Sequence, residues 1–270
     1  MGPGSLARRI AAVVIVIPPK RPPPPSYPST VEFDVVFPRS GTYAPTDLFP
    51  VIIGVQNPLV AATLRPNIKW SIRNHTSVQP LVGDAMRLSG PEISHTTSEH
   101  YYSVCVTNIF NNTLAEGDYW LKWTLSVESY TNDATNETGL LLERHEMSKV
   151  VDFRIRSGGA EAAAFRTSDS DCAAAPVALN VTRLLDVQKC GLGIAQSACP
   201  SLASEMPDAT PCAVQVGMRA SSSIVSLMHA TACRSWPSPD CTSMSSGEGK
   251  RALSNVLTLF LIGMVCLIIW

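Results

Sequence analysis

Three groupings of side chains in the sequence are of a type that does chemistry. His95, Glu99 and His100 stand as H-x-x-x-E-H, one residue longer than the H-x-x-E-H zinc pattern. They fall in a Ser/Thr-rich stretch ahead of an extended run, so the expectation is a solvated loop and no metal site is assigned. His145-Glu146 lacks the second histidine that H-E-x-x-H needs at helical spacing. The third grouping is the carboxylates Glu32, Asp34 and Asp152, because glycoside hydrolysis needs two acids about 5–10 Å apart. Each alternates with apolar neighbours, as the wet face of a strand does, and a structural role is expected. No G-x-S-x-G elbow or phosphate-cradling loop occurs, and Gly191-Leu192-Gly193, between two cysteines, reads as a turn. No catalytic residue and no cofactor is assigned.

Binding chemistry has more to work with. Tyr101 and Trp120 fall on the polar side of their alternating runs, where a flat ring can stack on a sugar face; both are candidates for cell-wall carbohydrate. Four N-glycosylation sequons start at Asn74, Asn111, Asn136 and Asn180. Cys172, Cys190, Cys199, Cys212, Cys233 and Cys241 lie in one Pro/Ser/Ala-rich stretch without a C-x-x-C pair. That is a disulfide set of an oxidising compartment, open to 15 pairings. Cys105 is left over and is expected to be buried as a small hydrophobe.

The last residues indicate a tether. Val256–Trp270 is uncharged and as a helix would rise only about 22 Å, short of the bilayer core. Ser245-Ser246-Gly247, a mostly polar spacer from Glu248 to Asn255 and this apolar tail together have the form of a glycolipid-anchor signal, with Ser245 as the attachment residue. The alternative is a hydrophobic C-terminal helix kept in the membrane. At the other end, residues 1–28 combine basic residues, the apolar run Ile10–Ile17 and a proline run. This is an atypical leader without an A-x-A-like cleavage site.

The elements that would position these residues are strands. Val31, Phe33, Val35 and Phe37 alternate with Glu32 and Asp34; Ile68, Trp70 and Ile72 with Lys69 and Ser71; Leu121, Trp123, Leu125 and Val127 with Lys122 and Thr124; Val151, Phe153 and Ile155 with Asp152 and Arg154. A period of two over such runs marks half-buried strands. Tyr102, Val104 and Val106 form a further set. Phe49–Val55 is continuously apolar, which predicts a central strand buried on both faces. Proline, glycine and asparagine clusters separate the runs and discourage helices. The fold class is all-β: an immunoglobulin-like antiparallel sandwich over 29–156, with Trp70 and Trp123 in its core. A smaller disulfide-rich, loop-rich β segment follows over 157–244, then the anchor-like tail over 245–270.

With 21 basic and 22 acidic side chains in 270 residues, the chain lacks the basic excess of a nucleic-acid binder. Ser29–Arg39, Thr42–Thr46, Leu48-Phe49-Pro50 and Gln56-Asn57-Pro58 resemble the opening of a fungal secreted domain family of unknown function. Val177–Thr182, Thr210–Val214 and the tail resemble its later part. The resemblance implies a secreted β domain and no catalytic residues. The expectation is a glycosylated, glycolipid-anchored surface protein with a structural or recognition role, the alternative a secreted wall-active enzyme such as a glycoside hydrolase. Its partners would be the membrane, through the anchor or helix, and wall polysaccharide.

Overall fold

A computed structural model describes residues 25–88, 93, 98–110, 116–133, 135, 139–161, 172–185, 199–235 and 264–269. The strands are β1 (Ser29–Phe37), β2 (Thr42–Tyr43), β3 (Phe49–Gln56), β4 (Asn67–Asn74), β5 (Val82–Arg87), β6 (His100–Thr107), β7 (Gly117–Asn132), β8 (Leu140–Ile155), β9 (Ala174–Leu185), β10 (Cys199–Leu202) and β11 (Met264–Ile269). Helix α1 (Pro58–Thr63) bridges β3 and β4, and α2 (Met218–Ser235) follows β10. Two sheets form, in the orders β10-β9-β1-β3-β6-β11 and β2-β8-β7-β4-β5. Pairing is antiparallel except between β2 and β8. The all-β sandwich expected from the strand pattern is present.

Alternation explains the five-stranded sheet. Ile68, Trp70 and Ile72 on β4 stand opposite Leu125, Trp123 and Leu121 on β7, and all six are buried against the other sheet. Lys69, Ser71, Lys122 and Thr124 face away from it. At one end Phe37, Tyr43, Phe49, Phe110, Tyr119 and Phe153 pack as a ring cluster, with Tyr119 stacked on Phe153 at 5.8 Å. The Tyr43 hydroxyl closes that corner: it donates to the Arg39 carbonyl and accepts from the Arg39 amide.

The six-stranded sheet differs from expectation because both its faces are covered. β3 is buried along nearly its whole length, as its apolar run predicts, but so is β1: Glu32 and Asp34 are 1% and 0% exposed. The cover comes from residues 208–216 and α2, whose Val214, Val216, Ile224 and Met228 are buried. This reverses the reading of β6. Its inward side chains are Tyr101, Ser103, Cys105 and Thr107, the partners of Val55, Ile53, Val51 and Phe49. Tyr102, Val104 and Val106 point to the cover instead. Tyr101, expected on a wet face, is 2% exposed in the core, so no sugar can stack on it.

Further findings concern Cys105 and the C-terminal third. The described strands of 157–244 join the sandwich: β9 pairs with β1 over Ser29–Val35, and β10 extends the same sheet. Cys105 is buried as expected, but it is disulfide-bonded. Among the tail residues, Met264–Ile269 form a strand on the β6 edge rather than part of a helix, with Cys266 opposite Cys105. A run of β-branched and apolar side chains suits an open sheet edge better than an isolated helix turn. Among the described residues no helix is long and apolar enough to cross a membrane.

Cys172 bonds to Cys212 and ties the cover to the start of β9. Cys199 and Cys233 are also disulfide-bonded. Cys190 and Cys241 lie outside the described residues, as do Ser245 and most of the leader.

Trp123 is fully buried in this core. Trp123→Ala is expected to cost about 3–5 kcal/mol of unfolding free energy, the usual range for deleting a core aromatic. Urea titration followed by the remaining tryptophan fluorescence measures it.

Candidate functional site

An open groove of about 570 Å³ crosses the outer face of the five-stranded sheet at its ring-cluster end, lined by Ser40, Gly41, Thr42, His75, Asp118, Asp152, Phe153 and Arg154. Its position follows from strand alternation. Tyr119 and Phe153 turn inward to the cluster, so Trp120 and Asp152, the next residues along β7 and β8, turn outward and are cross-strand partners. On the other side of Trp120 stands Arg73 of β4. Its guanidinium carbon lies 5.1 Å from the centre of the Trp120 ring, within reach of a cation–π contact. An Arg73 guanidinium N–H donates to the Val78 carbonyl at 3.0 Å, which holds the plane in place.

Trp120 is half-buried and stands beside the groove, next to its lining residue Asp152. The groove itself is polar. His75 Nε2 lies 3.2 Å from Asp152 Oδ1, and Arg154 and Arg156 reach Asp118 Oδ1 at 3.2 and 3.3 Å. Further along the face Lys69, Ser71, Lys122, Thr124 and Ser148 continue the polar surface, with the Thr124 and Ser148 hydroxyls 2.7 Å apart. An aromatic plane bordered by hydroxyl, carboxylate and guanidinium groups matches the two faces of a sugar ring: apolar C–H bonds against the indole, hydroxyls against the polar rim.

Of the carboxylates weighed for hydrolysis, Asp152 does not meet the other two. Asp152 is an exposed ion-pair partner in this groove, whereas Glu32 and Asp34 lie under the cover of the other sheet. Glu32 Oε2 accepts from the Thr210 amide at 2.7 Å and from the Thr210 hydroxyl at 3.2 Å. Asp34 Oδ2 accepts from the Gln56 amide at 3.4 Å. Glu32 Oε1 and Asp34 Oδ1 are buried without a hydrogen-bond donor among the described residues. Burial first, then the neighbouring Glu32, pushes the Asp34 carboxyl up to about 8. The pair has the chemistry of an acid–base couple, but it is sealed from solvent and has no substrate space.

A smaller cavity of about 280 Å³ opens where β7 and β8 pass β9 and β10, lined in part by Ser129, Glu143, His145, Asn180 and Leu202. Ser129 Oγ lies 2.7 Å from His145 Nε2, and Glu143 Oε2 is 3.7 Å from the same nitrogen. A serine–histidine–acid triad needs serine and acid on opposite ring nitrogens. With both on Nε2 the ring cannot pass the proton along, so this is a hydrogen-bonded pair rather than a nucleophile.

His100 sits beside Gln56 on the covered face of β6, and burial lowers its pKa. Among the described residues no group of His, Cys, Asp and Glu has metal-binding geometry. Asn74 ends β4 beside the groove, its Oδ1 accepting from the Thr76 amide and hydroxyl at 2.9 and 2.7 Å. Asn180 lies within β9, where Thr182 donates instead to the Ser201 carbonyl. Asn111 and Asn136 lie outside the described residues. Sequence reasoning placed Trp120 on the outward face through its phase in β7. It missed Arg73, His75 and Asp118, whose only signal was a shared outward phase on neighbouring strands.

Residues 26–243 match the model of a family described as a domain of unknown function (DUF7136). No curated protein and no solved structure matches the chain.

Ser129 is 1% exposed and bonded to His145. His145→Ala leaves that hydroxyl buried without its partner and is expected to cost about 1–3 kcal/mol. A thermal or urea melt unchanged from wild type would contradict it.

Proposed function

The chain belongs to the DUF7136 family, and from that premise we propose that it is an extracellular recognition protein whose ligand is an uncharged wall polysaccharide. The observation that carries this reading is Trp120: an indole on an outward strand face, backed by Arg73 and bordered by Asp152. Disulfide bonds at Cys105, Cys172, Cys199, Cys212 and Cys233 support an oxidising compartment. Sequons at Asn74, Asn111, Asn136 and Asn180 and the anchor-like features from Ser245 onward belong to the same reading: a glycoprotein of the fungal cell surface, tethered by a lipid. A recognition role is favoured over a hydrolase because the buried acid pair Glu32 and Asp34 is sealed beneath its cover.

The test is retention on insoluble β-glucan and on chitin. Trp120→Ala is expected to weaken retention on one of these on the order of tenfold, the loss of roughly 1.4 kcal/mol of stacking. Its melting temperature should stay that of the wild type, since the ring is outside the core. Undiminished retention would remove Trp120 from the site. Oligosaccharide released by the wild type and lost in Asp152→Asn would make the groove an active site instead.

A further inference from the structure

We propose that Glu32 and Asp34 are a proton-operated latch: one proton shared between them holds residues 208–216 and α2 against the six-stranded sheet, and its loss frees that cover. This proposal does not rest on the carbohydrate reading.

The geometry is that of a latch. Glu32 is the hydrogen-bond acceptor for both the amide and the hydroxyl of Thr210, and Gln56 donates to the Thr210 carbonyl at 3.4 Å as well as to Asp34. The two acids thus lie directly beneath the point where the cover is fastened. Next to them Gly54, paired with Asp34 on one side and Tyr102 on the other, leaves room for Val214 to press on the sheet; a Cβ there would stand 2.7 Å from Val214 Cγ1. The Tyr102 hydroxyl donates to the Gln215 carbonyl at 2.8 Å. The Cys172–Cys212 disulfide keeps the cover tethered when its contacts break, so release is reversible.

No neighbouring charge substitutes for the proton. On β3 the facing residues are Gln56 and Gly54, and on β9 Ala178 stands opposite Glu32. On β6 burial lowers the His100 pKa and raises that of the Tyr102 hydroxyl to about 12. Asp208 of the cover and Arg219 and His229 of α2 are exposed. Among the described residues neither Glu32 nor Asp34 has a salt-bridge partner. Two carboxylates in a buried site without a cation repel each other and lack solvation, so the deprotonated pair is stable only if water enters.

The direction with pH follows. Asp34 is raised from 3.8 to about 8, so the closed form holds a proton that the open form gives up between those values. The stability of the closed cover is therefore greatest near the lower end of that window and falls as pH rises through it. Linkage of one proton makes the open population grow about tenfold per pH unit.

Hydrogen exchange read by mass spectrometry on the full chain between pH 5 and 9, corrected for the intrinsic pH dependence of exchange, tests this. Protection of peptides covering 208–216 and 218–235 is expected to fall about tenfold per pH unit towards pH 8, while β7 and β8 keep theirs. Asp34→Asn removes the ionisation and should make the profile flat. Glu32→Gln removes the neighbouring charge but not the burial, so it should end the fall at a lower pH, and it serves if the first variant does not fold. Gly54→Ala should loosen the cover at every pH while keeping the slope. A fall shared equally by β7 and β8, a wild-type slope retained in a folded Asp34→Asn variant, or a wild-type profile unchanged in Glu32→Gln, would overturn the latch.

Discussion

A carboxyl pair on the third strand of a six-stranded sheet, buried on both faces, is the constraint to which the rest of this molecule answers. Glu32 and Asp34 point outward from the sandwich core, and an outward acid is ordinarily solvated at little cost. Here the segment around Thr210 lies over them, so their charges would be taken from water without a cation in return. Uncompensated burial of a carboxylate costs far more than any single packing contact returns. The structure meets that cost in two ways: Asp34 keeps its proton, and Thr210 and Gln56 supply donors. The identity of the cover follows from this requirement. It needs a free backbone N–H and a hydroxyl at one point, and Thr210 offers both.

The two sheets accordingly have different outer faces. The six-stranded sheet is enclosed, and its outward residues are Val36, Ile52, Gly54, Tyr102 and Val104, apolar or donating into the cover. The five-stranded sheet leaves its outer face open, with Lys69, Ser71, Lys122, Thr124 and Ser148 upon it. Trp120 on that face is backed by the inward cluster of Tyr119, Phe153 and Phe110. A platform that must receive a ligand without rearranging gains from such backing, since rigid presentation lowers the entropy lost on binding.

Much of the five-stranded sheet was legible in the sequence. The alternation around Trp70 and Trp123 specified both strand and inward face, because one side of that sheet is wet and the other dry. The six-stranded sheet was less legible for a physical reason: alternation shows that two faces differ, not which one is the core. In β6 both Tyr101-Ser103-Cys105-Thr107 and Tyr102-Val104-Val106 are buried, and the more apolar set faces the cover. In β1 the alternating acids imitate a solvated face, and the residues that cover them lie some 180 positions away. Only one local clue bore on it. The unbroken apolar run of β3 implies a sheet covered on both sides, and a strand paired with β3 shares that cover.

That clue carries further than the placement of one strand. A sequence that places two acids on a strand next to a doubly buried one poses a conflict between pattern and environment. Such conflicts are where a fold departs from plain stability. An apolar residue at position 34 would remove the need for the proton. The carboxyl instead makes the attachment of the cover depend on proton concentration, and the Cys172–Cys212 bond limits how far the cover can move. Burial, shared proton and tether act together: without the first the acids would ionise freely, without the second the cover would not close, and without the third it would not return to the same place.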